Sequence, residues 1–364
     1  MTVHGERARN LLHEGKGQAD AYLSLSPYNR YYLTGFSGSQ GAVLVAPEEY
    51  RWLLCDFRYT EQAASQAPDY EIVPVANDLF KRVGALAHDV GAQRIAFEAD
   101  HLTVEEWNRL TEAVPDIAWI PVSGMTEKMR MIKTADEIVL LRRAAQVAST
   151  ALSKVLATTI RPGISERQVA LSLELVMRES GADRLSFDTI VASGPRGSLP
   201  HGQPSTRILE PGDYVTIDFG AVVGGYHSDE TVTVVLPGSS STAAEMRQIY
   251  EIVYAAQQAG LEAVKSGTPV SAVDRAARRV IEAAGFGAQF GHGTGHGVGL
   301  EVHEPPYLSW RAAPDDVLQS GMAITVEPGI YLPNIGGVRL EDTVMVTDRG
   351  YQRLTTVDKA WRVL

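Results

Sequence analysis

The sequence predicts a small α/β domain followed by a larger α+β domain with internal pseudo-symmetry. Three observations carry that expectation: alternating strand-like and helix-like runs up to about Val122, a break in pattern near Ile120-Pro121-Val122-Ser123-Gly124, and a weak repeat beyond it. At 364 residues and 45% hydrophobic content the chain is long enough for two domains with separate cores. We place the domains at 1–123 and 124–364.

In the first domain, apolar runs such as Ala42-Val43-Leu44-Val45 and Arg94-Ile95-Ala96-Phe97 read as strands, and Thr103 to Val114 reads as a helix. Beyond the break, Thr134 and Glu137 form a possible capping box opening a long helix, with apolar positions at Ile138, Leu141, Ala145, Ala148 and Leu152. That helix closes near Arg161-Pro162-Gly163, and Ser165 caps a second helix that closes at Gly181. The same order returns later: a helix from near Thr242 to Lys265-Ser266-Gly267, Ser271 as the next cap, and closure at Gly285. Each pair runs into glycine-rich, strand-like sequence, which suggests antiparallel strands lined by helices. Chance similarity of two amphipathic pairs is the alternative.

A net charge of −11 and a pI near 5.3, without a Lys/Arg cluster, argue against nucleic acid or an anionic membrane as partner. A lone cysteine, Cys55, excludes an intrachain disulfide and points to a reducing compartment. Glu6 and Arg7 stand where a secretory leader needs an apolar stretch, and no run reaches membrane-spanning length, so the cytoplasm is the expected location.

The chemistry concentrates in four places. Tyr214 to Val234 reads as two strands joined by a glycine turn. With Val223-Gly224 as the turn, Asp218 faces Asp229 directly. With Gly224-Gly225, the two lie diagonally on one face. Either register brings together like charges that a divalent cation would neutralise, unless both are ordinary aspartates reaching solvent. Asp218-Phe219-Gly220 also spells a protein-kinase triplet, but no His-Arg-Asp loop or glycine-rich phosphate loop accompanies it.

Gly291 to Glu304 supplies His292, His296 and His303 among alternating glycines, which disfavour a helix and suggest an extended strand with His292 and His296 on one face. The glycines imply close approach of another backbone or a substrate. A phosphate loop would need a following Lys-Ser/Thr that is missing. At least one of these histidines is a candidate ligand. Glu327 and Glu341 each lie within an apolar strand, beside Val326 and Leu340, with Pro328 and Gly336-Gly337 marking turns. Four carboxylates and an imidazole suit two bridged divalent ions. Serine hydrolysis is disfavoured, because Gly35-Phe36-Ser37-Gly38-Ser39 breaks the nucleophile-elbow pattern at its last position.

Leu199-Pro200-His201-Gly202, Asp218-Phe219-Gly220 with Gly225 to Asp229, Gly293 to His296 through His303-Glu304, Val326 to Gly329, and Arg339 to Asp342 occur in the order and spacing of one family. With them the chain resembles the pita-bread metallopeptidases, in the branch of Xaa-Pro aminopeptidase (aminopeptidase P) and Xaa-Pro dipeptidase (prolidase). The resemblance implies that Asp218 binds one ion, His296 and Glu327 the other, and that Asp229 and Glu341 bridge them. It also implies two divalent ions, manganese first with cobalt or zinc as alternatives. Glu327 becomes the general base; His201 assists near the leaving proline nitrogen and His303 stabilises the tetrahedral intermediate. His292 and Arg339 become substrate-binding residues of the proline pocket, although Arg339 could instead form an ion pair with Glu341. Thr231 is placed to hydrogen-bond a ligand. The family often has Thr-Arg-Thr where this chain has Thr231-Val232-Thr233, which leaves the ligands untouched.

Asn29 to Ser39 and Asp56 to Ala63 are similar to the creatinase-like N-terminal domain, with Phe57 where the family usually has glycine. In that family the domain covers the active-site mouth and contributes to dimer formation, so a homodimer is expected. These N-terminal motifs look more like aminopeptidase P, implying removal of the N-terminal residue from peptides with proline second, with the dipeptidase as alternative. A non-catalytic binding protein of the same fold is the alternative of another class. Such relatives have lost ligands, and this chain keeps all five.

Overall fold

Short β-branched and aromatic runs between capped helices give the N-terminal unit an open mixed sheet. In the computed structural model, which describes residues 2–15 and 17–364, one compact unit ends at Arg130 and a second spans Met131–Leu364. The first contains α1 (Val3–Glu14), β1 (Ala21–Ser24), α2 (Pro27–Thr34), β2 (Ala42–Val45), β3 (Arg51–Cys55) and α3 (Thr60–Gln66). It continues with β4 (Glu71–Pro74), α4 (Leu79–Asp89), β5 (Arg94–Glu98), α5 (Val104–Ala113), β6 (Ala118–Val122) and α6 (Met125–Met131). Strand order is β4-β3-β2-β1-β5-β6, with β1, β2 and β3 antiparallel and the outer pairings parallel.

The expected strands at 42–45 and 94–97 are present, and Thr103 opens α5 with a complete capping box. Buried Glu98, at the end of β5, accepts hydrogen bonds from Ser24 Oγ, the backbone N–H groups of Leu25 and Ser26, and Asn29 Nδ2. It thereby fixes the turn from β1 into α2. Beyond the sequence break, α6 is tied into this unit through Thr126 to Tyr22 and Arg130 to Asn29.

The second unit repeats one plan. Its first half has α7 (Ala135–Thr158), α8 (Glu166–Glu179), β7 (Arg184–Leu185), β8 (Ile190–Ser193), β9 (Tyr214–Phe219), β10 (Ala221–Val223), β11 (Tyr226–His227) and β12 (Glu230–Val235). The second half has α9 (Ala243–Ala263), α10 (Val270–Ala283), β13 (Gly295–Gly297), β14 (Glu304–Leu308) and β15 (Ala323–Val326). It ends with β16 (Gly329–Leu332), β17 (Gly336–Arg339), β18 (Asp342–Thr347) and β19 (Gly350–Arg353). A helix pair thus precedes an antiparallel sheet twice, β12-β9-β8 and β14-β13-β15-β18-β19.

A capping box opens α7 at Thr134 and Ser165 caps α8, both as the sequence predicts, and Gln168 completes a capping box at Ser165 as well. The second copy departs from the expectation. Ser271 lies inside α10, whose cap is Pro269 without a side-chain bond. Pro269 makes a strand-like bridge to Val317, and Val270 N–H bonds to Asp316 O, so the main chain satisfies the helix start instead. Leu141, Ala145, Ala148 and Leu152 of α7 are buried; the last two pack with Val169 and Leu173 of α8 against Val215, Ile217 and Phe219 of β9. Each fully buried Leu, Val or Phe contributes roughly 1.5–3 kcal/mol. No helix among the described residues is long and apolar enough to cross a membrane.

Candidate metal centre

In the hairpin, Val222 pairs with His227 and Val223 with Tyr226, so the turn is Gly224-Gly225. Both glycines have positive φ, 57° and 81°, which a two-residue turn of this hand requires. The second of the two registers is therefore the one adopted. Asp218 pairs with Thr231, and Asp229 lies diagonally across on the same face.

The glycine-histidine segment forms a shorter strand than expected, Gly295–Gly297. The close approach its glycines imply is by backbone: a Cβ at Gly295 would lie 2.1 Å from Thr325 O, and one at Gly297 would lie 2.2 Å from Pro305 O. His292 falls outside the strand, so it does not share a face with His296 by strand parity. Its Nδ1 lies 2.8 Å from Gly293 O and its Nε2 3.0 Å from Tyr331 Oη. A carbonyl only accepts, so Nδ1 carries the proton and Nε2 accepts from the tyrosine. His292 is a wall residue of the cleft.

Glu327 and Glu341 sit at breaks between strands rather than within them, Glu327 between β15 and β16 and Glu341 between β17 and β18. At such breaks the chain bends out of the ladder, which frees the acids to point into the site. Main-chain bonds lock the bends: Glu327 N–H to Thr294 O at 2.7 Å and Glu341 N–H to Thr231 O at 3.0 Å. Thr343 Oγ1 bonds to Asp229 O at 2.6 Å, which ties the hairpin to the second half.

The acids and histidines converge in a cleft of ≈ 930 Å³ that also exposes His201, His292, His303, Tyr331 and Arg339 on its walls. Atoms able to ligate a cation lie within 4.8 Å of one another in three overlapping groups: Asp218, Asp229 and Glu341; His296, Glu327 and Glu341; and Asp229, His296 and His303. Glu341 belongs to both of the first two groups. His296 Nε2 is 3.4 Å from Glu327 Oε1 and 3.7 Å from Asp229 Oδ2. Its Nδ1 lies 3.0 Å from Gly297 O and so carries the proton, leaving the Nε2 lone pair aimed at the acids.

Two buried carboxylate oxygens, Asp218 Oδ1 and Glu341 Oε1, have no hydrogen-bond partner among the described residues. Buried acceptors are ordinarily paired, and a hard donor set with orphaned oxygens fits divalent cations. Burial, then the Glu341, Asp218 and Glu327 charges, raises Asp229 well above the usual carboxylate range. Glu341 is raised likewise by burial and by Glu327 and Asp218. Burial pushes Glu327 up to about 8 against the pull of Arg339. Burial, with His303 nearby, lowers His296 to about 4, so its ring is neutral at pH 7.

Carboxyls raised in this way hold protons near neutral pH that a bound cation would expel. Titrating manganese into the metal-stripped protein at pH 7 is therefore expected to release protons, and affinity should weaken as pH falls. Calorimetry in buffers of different ionisation enthalpy measures the release. A binding enthalpy independent of buffer would mean that the acids are already ionised.

Arg339 does not pair with Glu341. Its Nη2 donates to Asp218 Oδ2 at 2.7 Å, its Nη1 lies 3.1 Å from both Tyr331 Oη and Pro200 O, and its Nε is 3.3 Å from Thr231 Oγ1. The break after β17 explains this. Arg339 ends β17, while Glu341 lies past the break and takes its bond from Thr231 Oγ1 at 2.7 Å. Thr231 thus touches a candidate ligand, as expected. Tyr331 and Thr325 were not legible as site residues. Thr325 Oγ1 accepts from His296 N–H and lies 3.4 Å from Glu327 Oε1. Both share the parity of Glu327 along the chain, a signal that could have found them.

Among known families, the model described as Metallopeptidase family M24 matches residues 139–348, and that of the Creatinase/Prolidase N-terminal domain matches residues 6–132. A Bacillus subtilis relative, "Uncharacterized peptidase YqhT", is 41% identical across 99% of both chains. The solved structure of "Xaa-Pro dipeptidase from Bacillus anthracis" is 43% identical, covers 99% of both chains and has a TM-score of 0.93. That of "X-Pro aminopeptidase from Thermotoga maritima" is 34% identical, covers 98% of this chain and 100% of its own, and has a TM-score of 0.89.

Proposed function

Because the chain belongs to metallopeptidase family M24 and carries a creatinase/prolidase N-terminal domain, we propose that it hydrolyses Xaa-Pro bonds, releasing the N-terminal residue of peptides with proline second. The observation carrying this reading is the shared placement of Glu341 and Asp229 between ligand groups, beside two orphaned carboxylate oxygens. Asp218 would hold one divalent ion and His296 with Glu327 the other, with Asp229 and Glu341 between them. The preponderance of carboxylate donors favours manganese over cobalt or zinc. When bound, the ions supply Lewis-acid polarisation of the scissile carbonyl and a lowered pKa for water.

The residues of the chain perform the remaining steps. Glu327 accepts a proton from the attacking water and returns it to the departing proline nitrogen, a role worth roughly 10²- to 10⁴-fold. That nitrogen carries no hydrogen in the peptide, so it must receive one before it leaves. His303 supplies an N–H to the developing oxyanion, and His201 on the same cleft wall assists at the leaving side. Tyr331, His292 and Arg339 form a bonded wall that receives the proline ring.

The size of the cleft, ≈ 930 Å³, supports substrates longer than a dipeptide, since it lies at the top of the roughly 300–1,000 Å³ range for small-ligand sites. A dipeptidase reading has the name of the Bacillus anthracis relative in its favour. Comparing an Xaa-Pro dipeptide, an Xaa-Pro tripeptide and a longer peptide with manganese, cobalt or zinc decides between them. The longer substrates are expected to give roughly tenfold or greater kcat/KM, about 1.4 kcal/mol or more of extra transition-state binding. Cleavage of the dipeptide alone would establish the dipeptidase.

A further inference from the structure

Beside the catalytic cleft lies a second one of ≈ 620 Å³, walled by Arg275, Arg279, Arg311 and Trp310, with Glu282 as the one acid on its lining. The two clefts share Ala288 and Gly291. A surplus of guanidinium groups here is not a consequence of composition, because the chain carries a net charge of −11.

Arg278, on the same wall, is already committed. It bonds Asp274 through Nε and Nη2, and reaches Phe290 O and His292 O. Its guanidinium is held between Phe290 at 4.2 Å and Trp310 at 4.0 Å. It therefore acts as a fixed floor that also anchors the His292 segment. Arg275, Arg279 and Arg311 are exposed and have no ion-pair partner among the described residues.

The acids of the catalytic cleft would be neutralised by the ions they hold, whereas the neighbouring cleft presents three guanidinium groups without an ion-pair partner among the described residues. A free peptide has a cationic amino end and an anionic carboxyl end. With the amino end held in the catalytic cleft, Coulomb attraction draws the carboxyl end toward the arginines. We propose that the cleft of Arg275, Arg279 and Arg311 is a subsite for the C-terminal carboxylate of oligopeptide substrates, so that the enzyme selects short free-acid peptides. This rests on the aminopeptidase reading above. Arginine suits the role because its planar fork meets a carboxylate with paired N–H donors.

The test uses the full chain loaded with manganese and two tetrapeptide substrates, Ala-Pro-Ala-Ala as the free acid and as its C-terminal amide, with the dipeptide Ala-Pro as control. The free acid is expected to be favoured roughly tenfold in kcat/KM, mainly through KM, with the preference shrinking as salt rises. In the Arg275→Gln/Arg279→Gln/Arg311→Gln variant the acid-to-amide ratio should fall to about one through loss on the acid. Equal use of both substrates by the parent, or a preference retained by the variant, overturns the proposal. If added inorganic phosphate alters cleavage of the amide as well, the cleft is an effector site and the assignment fails. Cleavage of a dipeptide but of neither tetrapeptide would instead defeat the aminopeptidase reading itself, an outcome distinguishable by the absence of product from both.

Discussion

Asp229→Asn is expected to abolish peptidase activity, by 10³-fold or more in kcat, and to reduce bound metal from two ions per chain to one or none. Asp229 is 5% exposed and belongs to two of the three groups of convergent donors. The substitution keeps shape and removes charge, so one oxygen of a neutral amide would face Glu341 and His296 where an anion stood. In metal-free protein at alkaline pH, where Asp229 is ionised, the same change relieves like-charge repulsion with Asp218, Glu327 and Glu341. At that pH the metal-free variant should therefore melt a few degrees higher than metal-free parent while being inactive. Elemental analysis of the purified proteins and thermal melts in chelator measure both effects. Full activity with two ions bound would remove Asp229 from the ligand set.

The expected rise in stability with loss of function separates what the sequence could reveal from what it could not. Local rules reached the strands at 42–45 and 94–97, the helix that begins at Thr103, the capping box at Thr134, the cap at Ser165, and the hairpin that brings Asp218 near Asp229. These depend on neighbours within a few residues. Choosing between the two turn registers required knowing that Gly224 and Gly225 both adopt positive φ, which composition permits but does not enforce. Ser271 failed as a cap because Val317 and Asp316, some forty-five residues away, supply the main-chain pairing. Proximity in sequence offered an ion pair with Glu341 as the alternative to a substrate-binding role for Arg339, whereas the break after β17 delivers Arg339 to Asp218. Parity with Glu327 could place Tyr331 on the site face, but its contact with His292, thirty-nine positions away, follows from no local pattern.

Arg339→Gln is expected to lower kcat/KM for Xaa-Pro peptides by roughly 100-fold while both ions remain bound at saturating metal. The guanidinium is 4% exposed and reaches Asp218, Thr231, Tyr331 and Pro200, so one side chain links a candidate ligand, the tyrosine-histidine wall and the His201 loop. Glutamine is too short and has too few donors to keep these contacts. Lysine would restore the charge without the planar fork, so Arg339→Lys should recover stability better than activity. The stability readout is the sharper one. Removing one partner of a buried ion pair costs about 3–5 kcal/mol, because the remaining charge is left uncompensated. In metal-free protein, Asp218 would be that charge. With manganese present, an ion beside Asp218 takes over the neutralisation, so the melting deficit of Arg339→Gln relative to the parent should be large in chelator and mostly disappear on adding metal. A deficit of the same size in both conditions would show that no cation approaches Asp218, and would leave Arg339 as a purely structural partner.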